Sequence, residues 1–252
     1  MKKILIMVVV TISILATSCI SIIEELTLNK NGSGIYTYTI DMTALMESGA
    51  LEQARQMSEE MPAEAMEVDT TIGAYDMMKD QDMLEDSDKS DFWKKVKIVS
   101  KISESEKVGE ISFVLDFKDI SEVDYFTKNM GKLLESDETV GMLASLGLVG
   151  SSASSPFNYK KGWFSRTLTR NKQDVDSDIV EAMEQEGGDM MKMMLADAEY
   201  ITIYNLPGKV KKVSNDDAKI SKEGKTVTIK ADLLDKMEGE ADLSTSIKFK
   251  RK

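Results

Sequence analysis

Aspartates at every second position are the first feature of this chain that could do chemistry, because calcium-binding loops use that spacing. Asp86, Asp88 and Ser90 occupy positions 1, 3 and 5 of such a loop. Asp91, however, stands where the loop requires glycine, and Lys97 stands where it requires the closing carboxylate. The segment is therefore predicted to be a solvated acidic loop.

A second run, Asp174, Asp176 and Asp178, has the same spacing. Ile179 and Gln185 fill the two critical positions of the calcium pattern, so this run fails it as well. Acids at the start of a helix complement its dipole, and that is the predicted role here. The sequence predicts no metal site and no cofactor.

Histidine is absent from the chain, and Cys19 is its single cysteine. Catalytic triads, cysteine–histidine dyads and histidine-ligated zinc are thereby excluded. Any catalysis would depend on carboxylates, lysine or tyrosine, and the sequence singles out no pair of acids for that role. We therefore predict no enzymatic activity and no catalytic residue.

Methionine is abundant, with 18 residues. Met183, Met190 and Met194 share one face at helical spacing. Thioethers are soft ligands that could hold Cu(I), but they also pack adaptably in cores and apolar grooves. Packing in the core or in a methionine-lined groove is the favoured interpretation.

Five aromatic residues could form a platform for a sugar or a lipid, or could be buried in strands: Trp93, Phe157, Tyr159, Trp163 and Phe164. Two basic groups lie near the C-terminal end, and they are Lys209, Lys211, Lys212 and Lys248, Lys250, Arg251, Lys252. The alternation of these basic residues is typical of solvated strand faces. Contact with phosphate headgroups near a membrane anchor is the alternative.

Cys19 closes a complete signal-peptide pattern. Two lysines precede an apolar run, Ile4 to Leu15, and small residues follow it at positions 16–18. Leu15-Ala16-Thr17-Ser18-Cys19 resembles a bacterial lipobox. The resemblance implies that residues 1–18 are removed and that the Cys19 thiol carries diacylglycerol, with acyl groups such as palmitate. The alternatives are a transmembrane helix, for which the apolar run is shorter than about 20 residues, an ordinary secretory signal and a buried core strand.

The formal net charge of the chain is −12. This charge argues against nucleic acid as a partner and against electrostatic docking on anionic lipids. The predicted partner is membrane lipid, held through acylated Cys19, and the predicted location is the bacterial cell envelope. Because Ile20 rather than aspartate follows the cysteine, the outer membrane is expected in a host with two membranes.

Alternating apolar residues predict most of the strands. The predicted strands are 22–28 and 35–40 as a hairpin, 92–99 and 108–117 as an antiparallel pair, and 159–169, 200–204, 209–213, 225–230 and 246–249. The predicted helices are 44–66 with Thr43 as its cap, a helix from Asp119 or Ser121 to Leu134, 174–197 and 233–237. This order predicts an α+β fold, an antiparallel sheet of hairpin-linked strands with helical insertions. Residues 19–252 are predicted to form one membrane-anchored domain with mobile loops at about 69–91 and 139–156.

Two short segments resemble LppM-like bacterial lipoproteins. The first is Leu28 to Gly34, a hairpin turn soon after the cysteine. The second runs from Ile201 through Leu206-Pro207-Gly208 to Val210, with Asn215 and then Lys225 to Ile229. The resemblance covers residues 19–45 and 198–232. It implies an anchored α+β domain of the envelope, allows a lipid- or glycolipid-binding role, and transfers no catalytic residue.

The predicted function is that of a membrane-anchored, non-enzymatic lipoprotein that binds a lipid, a glycolipid or an envelope protein. One alternative is a carboxylate-dependent hydrolase of envelope glycan, which needs two acids about 5–10 Å apart. A structural or adhesive surface lipoprotein is the other. No ligand-binding residue is predicted from the sequence.

Overall fold

The computed structural model describes residues 20–48, 67–80, 84, 90–134, 156–168 and 195–250. Within these ranges the strands are β1 (Ser21–Leu28), β2 (Gly34–Asp41), β3 (Glu67–Gly73), β4 (Val96–Ser103), β5 (Val108–Phe117), β6 (Phe157–Lys160), β7 (Trp163–Arg166), β8 (Glu199–Asn205), β9 (Val210–Val213), β10 (Lys219–Ile220), β11 (Thr226–Asp232) and β12 (Thr245–Phe249). The helices are α1 (Thr43–Ser48), α2 (Ala74–Asp80), α3 (Ser90–Trp93), α4 (Ser121–Asn129), α5 (Gly131–Leu134) and α6 (Leu233–Met237). Cys19, the predicted lipidation site, lies outside the described residues.

The strands form two sheets. The larger has the order β10-β11-β8-β1-β2-β5-β4-β3, and the smaller has the order β6-β7-β12-β9. The fold is α+β, as predicted, although the sheets dominate it. Hairpins join β1 to β2, β4 to β5 and β6 to β7, also in accord with the prediction. The larger sheet is antiparallel as predicted except at one place, where β1 and β8 pair in parallel. A long connection separates these two strands in the chain, as a parallel pairing requires.

The core lies between the two sheets, and alternation of side chains along each strand builds it. Ile111, Phe113, Leu115 and Phe117 of β5 are all buried, as their period of two predicts. Buried residues of the smaller sheet, such as Phe164, belong to the same cluster. The predicted hairpin is confirmed as well, since β1 and β2 pair along their full lengths.

The strand predicted over residues 92–99 begins later than expected. Phe92 and Trp93 belong to α3, and β4 starts at Val96. The two aromatic rings pack against α4, with ring centroids 4.7 Å apart for Phe92–Tyr125 and 6.5 Å apart for Trp93–Phe126. Contact with a helix therefore overrides the strand preference of these aromatic residues.

The single strand predicted over 159–169 is also wrong. The chain instead forms the hairpin of β6 and β7, which turns at Lys161-Gly162. Gly162 has φ +85°, a backbone conformation that residues with a Cβ adopt at a cost. The Lys160-Lys161-Gly162 sequence between the aromatic residues of the two strands marks the turn.

Part of the acidic segment predicted as a mobile loop is regular structure. Residues 67–73 form β3, the edge strand beside β4, and residues 74–80 form α2. Ala74 and Met78 bury one side of α2 in the core, which explains why this polar segment folds. The second predicted loop lies outside the described residues except for Pro156.

The predicted helices are described in part. Residues 49–66 and 171–194 lie outside the described residues, so only α1 represents the first of these helices. Thr43 is not its cap, because the Asp41 carboxylate accepts the Thr43 amide at 2.9 Å. The Thr43 hydroxyl instead accepts the Gly109 amide at 3.3 Å. This contact fixes α1 against β5.

The helix predicted from Asp119 or Ser121 is confirmed as α4 followed by α5. Asp119 precedes α4 and accepts hydrogen bonds from the amide and the hydroxyl of Ser121. Asp124 of α4 accepts the Phe157 amide at 2.8 Å and so holds the start of β6. The short predicted helix at 233–237 is confirmed as α6.

Candidate functional site

A groove of about 750 Å³ lies on the face of the smaller sheet that points away from the core. Trp163 and Ser165 line it, and along β7 they alternate with the buried Phe164. Asn158 and Lys160 of β6 line it in the same way. Further polar side chains come from β12 and two loops: Ser214, Asn215, Asp216, Asp217, Asp242, Ser244 and Ser246.

Hydrogen bonds fix the walls of this groove. The Trp163 indole N–H donates to the Ser246 hydroxyl at 2.7 Å, which sets the plane of the ring. The Asn215 side-chain amide donates to the backbone oxygens of Asp242 and Ser244, at 2.9 and 3.1 Å. The Ser214 hydroxyl accepts the Ser246 amide at 2.8 Å. The two loops and β12 are thus tied together before any ligand arrives.

Several polar groups remain available inside the groove. The side chains of Asn158, Asp216 and Asp217 form no hydrogen bond with any residue that the structure describes. An amide both donates and accepts, and carboxylates accept. One fixed aromatic face surrounded by such groups suits a ligand that carries many hydroxyls.

A buried ion pair lies directly beneath this groove. Arg166 of β7 donates through both terminal guanidinium nitrogens to Glu24 of β1, with Nη2 to Oε1 at 3.1 Å. The Arg166 and Glu24 side chains are 4% and 7% exposed. The guanidinium also lies 5.0 Å from the centre of the Phe157 ring. The pair therefore connects the two sheets through the core.

Four tyrosines surround the ion pair: Tyr36, Tyr38, Tyr200 and Tyr204. Burial raises the pKa of all four phenols above the ordinary value of 10.0, and the nearby Glu24 carboxylate adds to this. Burial also acts to raise the pKa of Glu24. The charge of Arg166 and hydrogen bonds from Tyr200 and Arg166 outweigh that effect, so the pKa is lowered overall.

Two buried polar atoms mark the boundary between groove and core. Arg166 and Thr245 are strand partners, and both line the groove. Arg166 Nε and Thr245 Oγ1 have no hydrogen-bond partner within the described part of the chain. Buried polar atoms are normally paired, so this position is where a bound molecule or a water would be stabilised.

A second, smaller cleft of about 260 Å³ lies at the end of the two sheets where β1 finishes. Lys30, Lys161 and Lys250 line it, and we call it the lysine cleft. The stacked rings of Tyr159 and Phe249, 6.4 Å apart, together with Gly162 and Pro207, complete the lining. The Tyr159 hydroxyl donates to the Lys30 backbone oxygen at 3.2 Å and so joins the turns of the two sheets.

The predicted basic groups do not gather near the start of β1. The Lys250 amide donates to the Lys209 backbone oxygen, and both residues lie beside Gly208, at the end of the molecule away from Ser21. Lys211, Lys212 and Lys248 lie on exposed positions of β9 and β12, as predicted for solvated strand faces. Arg251 and Lys252 lie outside the described residues.

The five predicted aromatic residues do not form one platform. Phe157, Phe164 and Trp93 are buried in the core. Trp163 lines the groove, and Tyr159 lines the lysine cleft.

The other predicted ligand residues are mostly outside the described residues. These are Asp86, Asp88, Asp174, Asp176, Asp178, Met183, Met190 and Met194. Ser90 begins α3. Within the described ranges, no group of three or more acidic residues is arranged to hold a metal ion.

Sequence reasoning named Trp163 as a candidate for sugar contact, but it missed most of the other groove residues and both residues of the ion pair. Glu24 has the same parity as Ile22 and Leu26, so alternation alone would place its charge in the core. Arg166 likewise follows Phe164 at an inward-facing position. A charged residue at a core-facing position in each of two strands is the sequence signal that could have indicated a buried ion pair. Asn158 gave none, because polar residues at exposed positions are ordinary. Asn215 stood out only as part of the C-terminal motif.

Among the described residues, no helix is long and apolar enough to cross a membrane. Comparison with protein-family models and with curated proteins gives no match. Among solved structures, the chain is similar to the folded domain of LppM from Mycobacterium tuberculosis, determined by NMR. The TM-score is 0.44 and the identity 7%, over 92% of this chain and 90% of that chain. A likeness at this level carries no argument about function, and membership of an LppM-like family stays an expectation from the motifs.

Proposed function

We propose that this chain is a lipid-anchored, non-enzymatic protein of the bacterial cell envelope that binds the sugar headgroup of a glycolipid. The observation that carries this proposal is the groove, in which the fixed Trp163 indole stands among hydroxyl, amide and carboxylate groups. Such groups exchange hydrogen bonds with a sugar, whereas an acyl chain would leave them unpaired. The headgroup, rather than the acyl chain, is therefore the recognised part of the ligand.

A lipid anchor at Cys19 would place the chain at a membrane of the cell envelope. Acylated Cys19 would hold two or more acyl chains in the membrane, enough for stable attachment. Ile20 is already buried in the core and β1 starts at Ser21, so the folded part begins close to the anchor. A groove on a domain anchored in this way would meet long glycan headgroups or released envelope glycans without a long tether.

Native mass spectrometry of the full chain in nonionic detergent tests this proposal. The chain is incubated with a bacterial total polar lipid extract and, separately, with the water-soluble headgroups released from that extract by deacylation. We expect a retained glycolipid mass with the intact extract, a retained glycan mass with the deacylated extract, and the loss of both in Trp163→Ala. Trp163→Phe, which keeps an aromatic face, should retain part of the binding, and Ile220→Ala, at an exposed position elsewhere, should retain all of it.

Two results would overturn the proposal. One is retention of an acyl lipid that Trp163→Ala leaves unchanged. The other is an unliganded mass with both extracts, under conditions in which a known glycolipid-binding protein keeps its ligand. The second result would direct attention to an envelope protein as the partner.

One observation favours a second candidate, a glycan hydrolase. Asp216, Asp217 and Asp242 line the same groove, and glycosidases act through two carboxyl groups flanking the scissile bond. Release of reducing ends from envelope glycan, abolished in Asp216→Asn, Asp217→Asn or Asp242→Asn while binding persists, would establish the hydrolase. Binding without release in the wild-type chain supports the non-enzymatic proposal.

A further inference from the structure

The lysine cleft is built from three separate turns and strand ends. Lys30 comes from the β1–β2 turn, Lys161 from the β6–β7 turn, and Lys250 follows β12. The three lysines are far apart in the sequence, and only the fold brings their segments to the same cleft. The Tyr159–Lys30 hydrogen bond and the backbone bond from Lys250 to Lys209 hold the segments in place.

The charge of the cleft opposes that of the whole chain. The chain carries a net charge of −12, yet no described residue that lines this cleft is acidic. Lys30, Lys161 and Lys250 form no ion pair with any other residue in the described ranges. Like charges repel when they are brought together without a counter-charge, so an anion in the cleft would relieve that repulsion.

The wall and the volume of the cleft indicate which class of anion it could hold. Stacked Tyr159 and Phe249 give one wall an apolar surface, and Pro207 extends it. A volume of about 260 Å³ has room for a phosphate group with a short organic attachment. Lysine ammonium groups bind phosphate as point charges, and they need no planar geometry to do so.

We propose that the lysine cleft is a binding site for a phosphate group, distinct from the groove on the smaller sheet. Free phosphate and the phosphodiester of a lipid or polymer headgroup share this chemistry. The ligand approaches from the end of the molecule opposite the start of β1. Phosphate binding in the lysine cleft does not depend on a sugar in the groove, so the two proposals are tested independently.

Isothermal titration calorimetry on the full chain in nonionic detergent tests the site with two probes. The first is inorganic phosphate, and the second is glycerophosphoglycerol, the deacylated headgroup of phosphatidylglycerol. The variant combines Lys30→Gln, Lys161→Gln and Lys250→Gln. The control combines Lys97→Gln, Lys128→Gln and Lys222→Gln, which removes the same charge from exposed lysines elsewhere.

We expect saturable binding of at least one probe, with a dissociation constant that rises at least about tenfold in the cleft variant and less than about threefold in the control. Tighter binding of glycerophosphoglycerol would identify a headgroup as the source, and tighter binding of inorganic phosphate would identify the free ion. Equal weakening in the two triple variants would show that only overall charge matters, and would overturn the site. Absence of saturable binding of both probes would do the same.

Discussion

Glu24 and Arg166 stand inside the core, although each ion would be better solvated in water. Transfer of an ion out of water costs several kcal/mol, which the partner recovers only when geometry and further hydrogen bonds are good. Here both oxygens of the carboxylate face the two terminal guanidinium nitrogens, and Tyr200 adds a hydrogen bond to Glu24. Because the pair also links β1 to β7, it selects one way of docking the two sheets.

Removal of one partner should therefore destabilise the fold strongly. Glu24→Gln leaves the Arg166 charge buried without its counter-ion, and we expect a loss of about 3–5 kcal/mol in the free energy of unfolding. Urea unfolding followed by far-ultraviolet circular dichroism measures this loss. The double variant Glu24→Leu with Arg166→Met removes both charges and should lose less than Glu24→Gln alone.

An exposed pair provides the matched control. Lys94 and Asp91 are 2.5 Å apart, but both side chains are more than half exposed, so Lys94→Ala should cost far less than Glu24→Gln. If Glu24→Gln cost no more than Lys94→Ala, the ion pair would have no structural role, and the account of sheet docking given above would be wrong.

The tyrosines around the ion pair predict a pH dependence. Burial raises the pKa of Tyr36, Tyr38, Tyr200 and Tyr204 above 10.0, so these phenols stay protonated in the folded state when the unfolded chain ionises. Their contribution to stability is complete below pH 10 and declines as the pH rises further. Each phenol contributes a slope of up to about 1.4 kcal/mol per pH unit, so four give up to about 5.6 kcal/mol per unit.

Lys236 opposes this trend only weakly. Burial lowers the pKa of Lys236 from 10.5 to about 8. Between pH 8 and 10.5 this single group therefore makes the free energy of unfolding rise with pH, against the fall that the four tyrosines cause. Urea unfolding at pH 9 to 11.5, with tyrosinate absorbance recorded alongside, measures the balance. We expect cooperative unfolding above pH 10 and a shallower decline in Tyr200→Phe. Gradual ionisation of all tyrosines without unfolding would contradict the buried environment.

At the scale of elements, the structure explains why the Leu206-Pro207-Gly208 segment contains a glycine. The sequence suggests that glycine allows a sharp reversal, but Gly208 is not among the described residues with positive φ. A Cβ at Gly208 would lie 1.9 Å from the Lys250 backbone oxygen. The glycine is required because β12 and the β8–β9 connection approach each other closely at the edge of the lysine cleft.

Gly208→Ala should consequently separate these two segments. We expect a loss of about 1–3 kcal/mol in the free energy of unfolding, the range for overpacking a close contact, and a change in the amide NMR signals of Lys209 and Lys250. Gly131→Ala is the control. No atom lies within 4 Å of a Cβ at Gly131 in α5, so this helical substitution should be neutral or slightly stabilising. Equal effects of the two substitutions would contradict the steric explanation.

The elements differ in how far the sequence predicts them. β5 and the β1–β2 hairpin follow from local alternation, because a period of two directly specifies the buried face. The parallel pairing of β1 with β8 and the meeting of Glu24 with Arg166 depend on contacts between distant parts of the chain. Local pattern carries no information on such pairing. The groove and the lysine cleft are built from loops and turns of several strands, so their residues could not be assembled from the sequence.

At the scale of the whole molecule, acidic and basic residues gather at opposite ends of the direction in which β1 runs. One row of cross-strand partners crosses the larger sheet at the end where β1 starts, and it consists of Asp232, Glu199, Ser21, Asp41, Glu110, Lys101 and Asp69. The lysine cleft lies at the opposite end. Eight residues of β1 separate the two ends by about 25 Å. An anchor at Cys19 would place the acidic row towards the membrane and the cleft away from it.

This polarity predicts the orientation of the acylated chain on a bilayer. Anionic headgroups repel the acidic row, so the domain should stand with the lysine cleft turned outward rather than lie flat on the surface. The two tryptophans of the chain report on this orientation. Trp163 pairs with Lys248 near the lysine cleft. Trp93 lies three residues before Val96, the first residue of β4, which lies towards the same end.

Tryptophan fluorescence in vesicles that contain brominated phospholipids measures the distance of these residues from the acyl chains. We expect the wild-type chain to show little quenching, since both tryptophans are held away from the bilayer. Glu110→Trp places a third indole in the acidic row, and its added emission should be quenched strongly. Strong quenching of the wild-type emission would mean that the cleft end faces the lipid. In that case the lysines would contact the headgroups of the anchoring membrane itself, and the phosphate ligand of the cleft would have to be sought there.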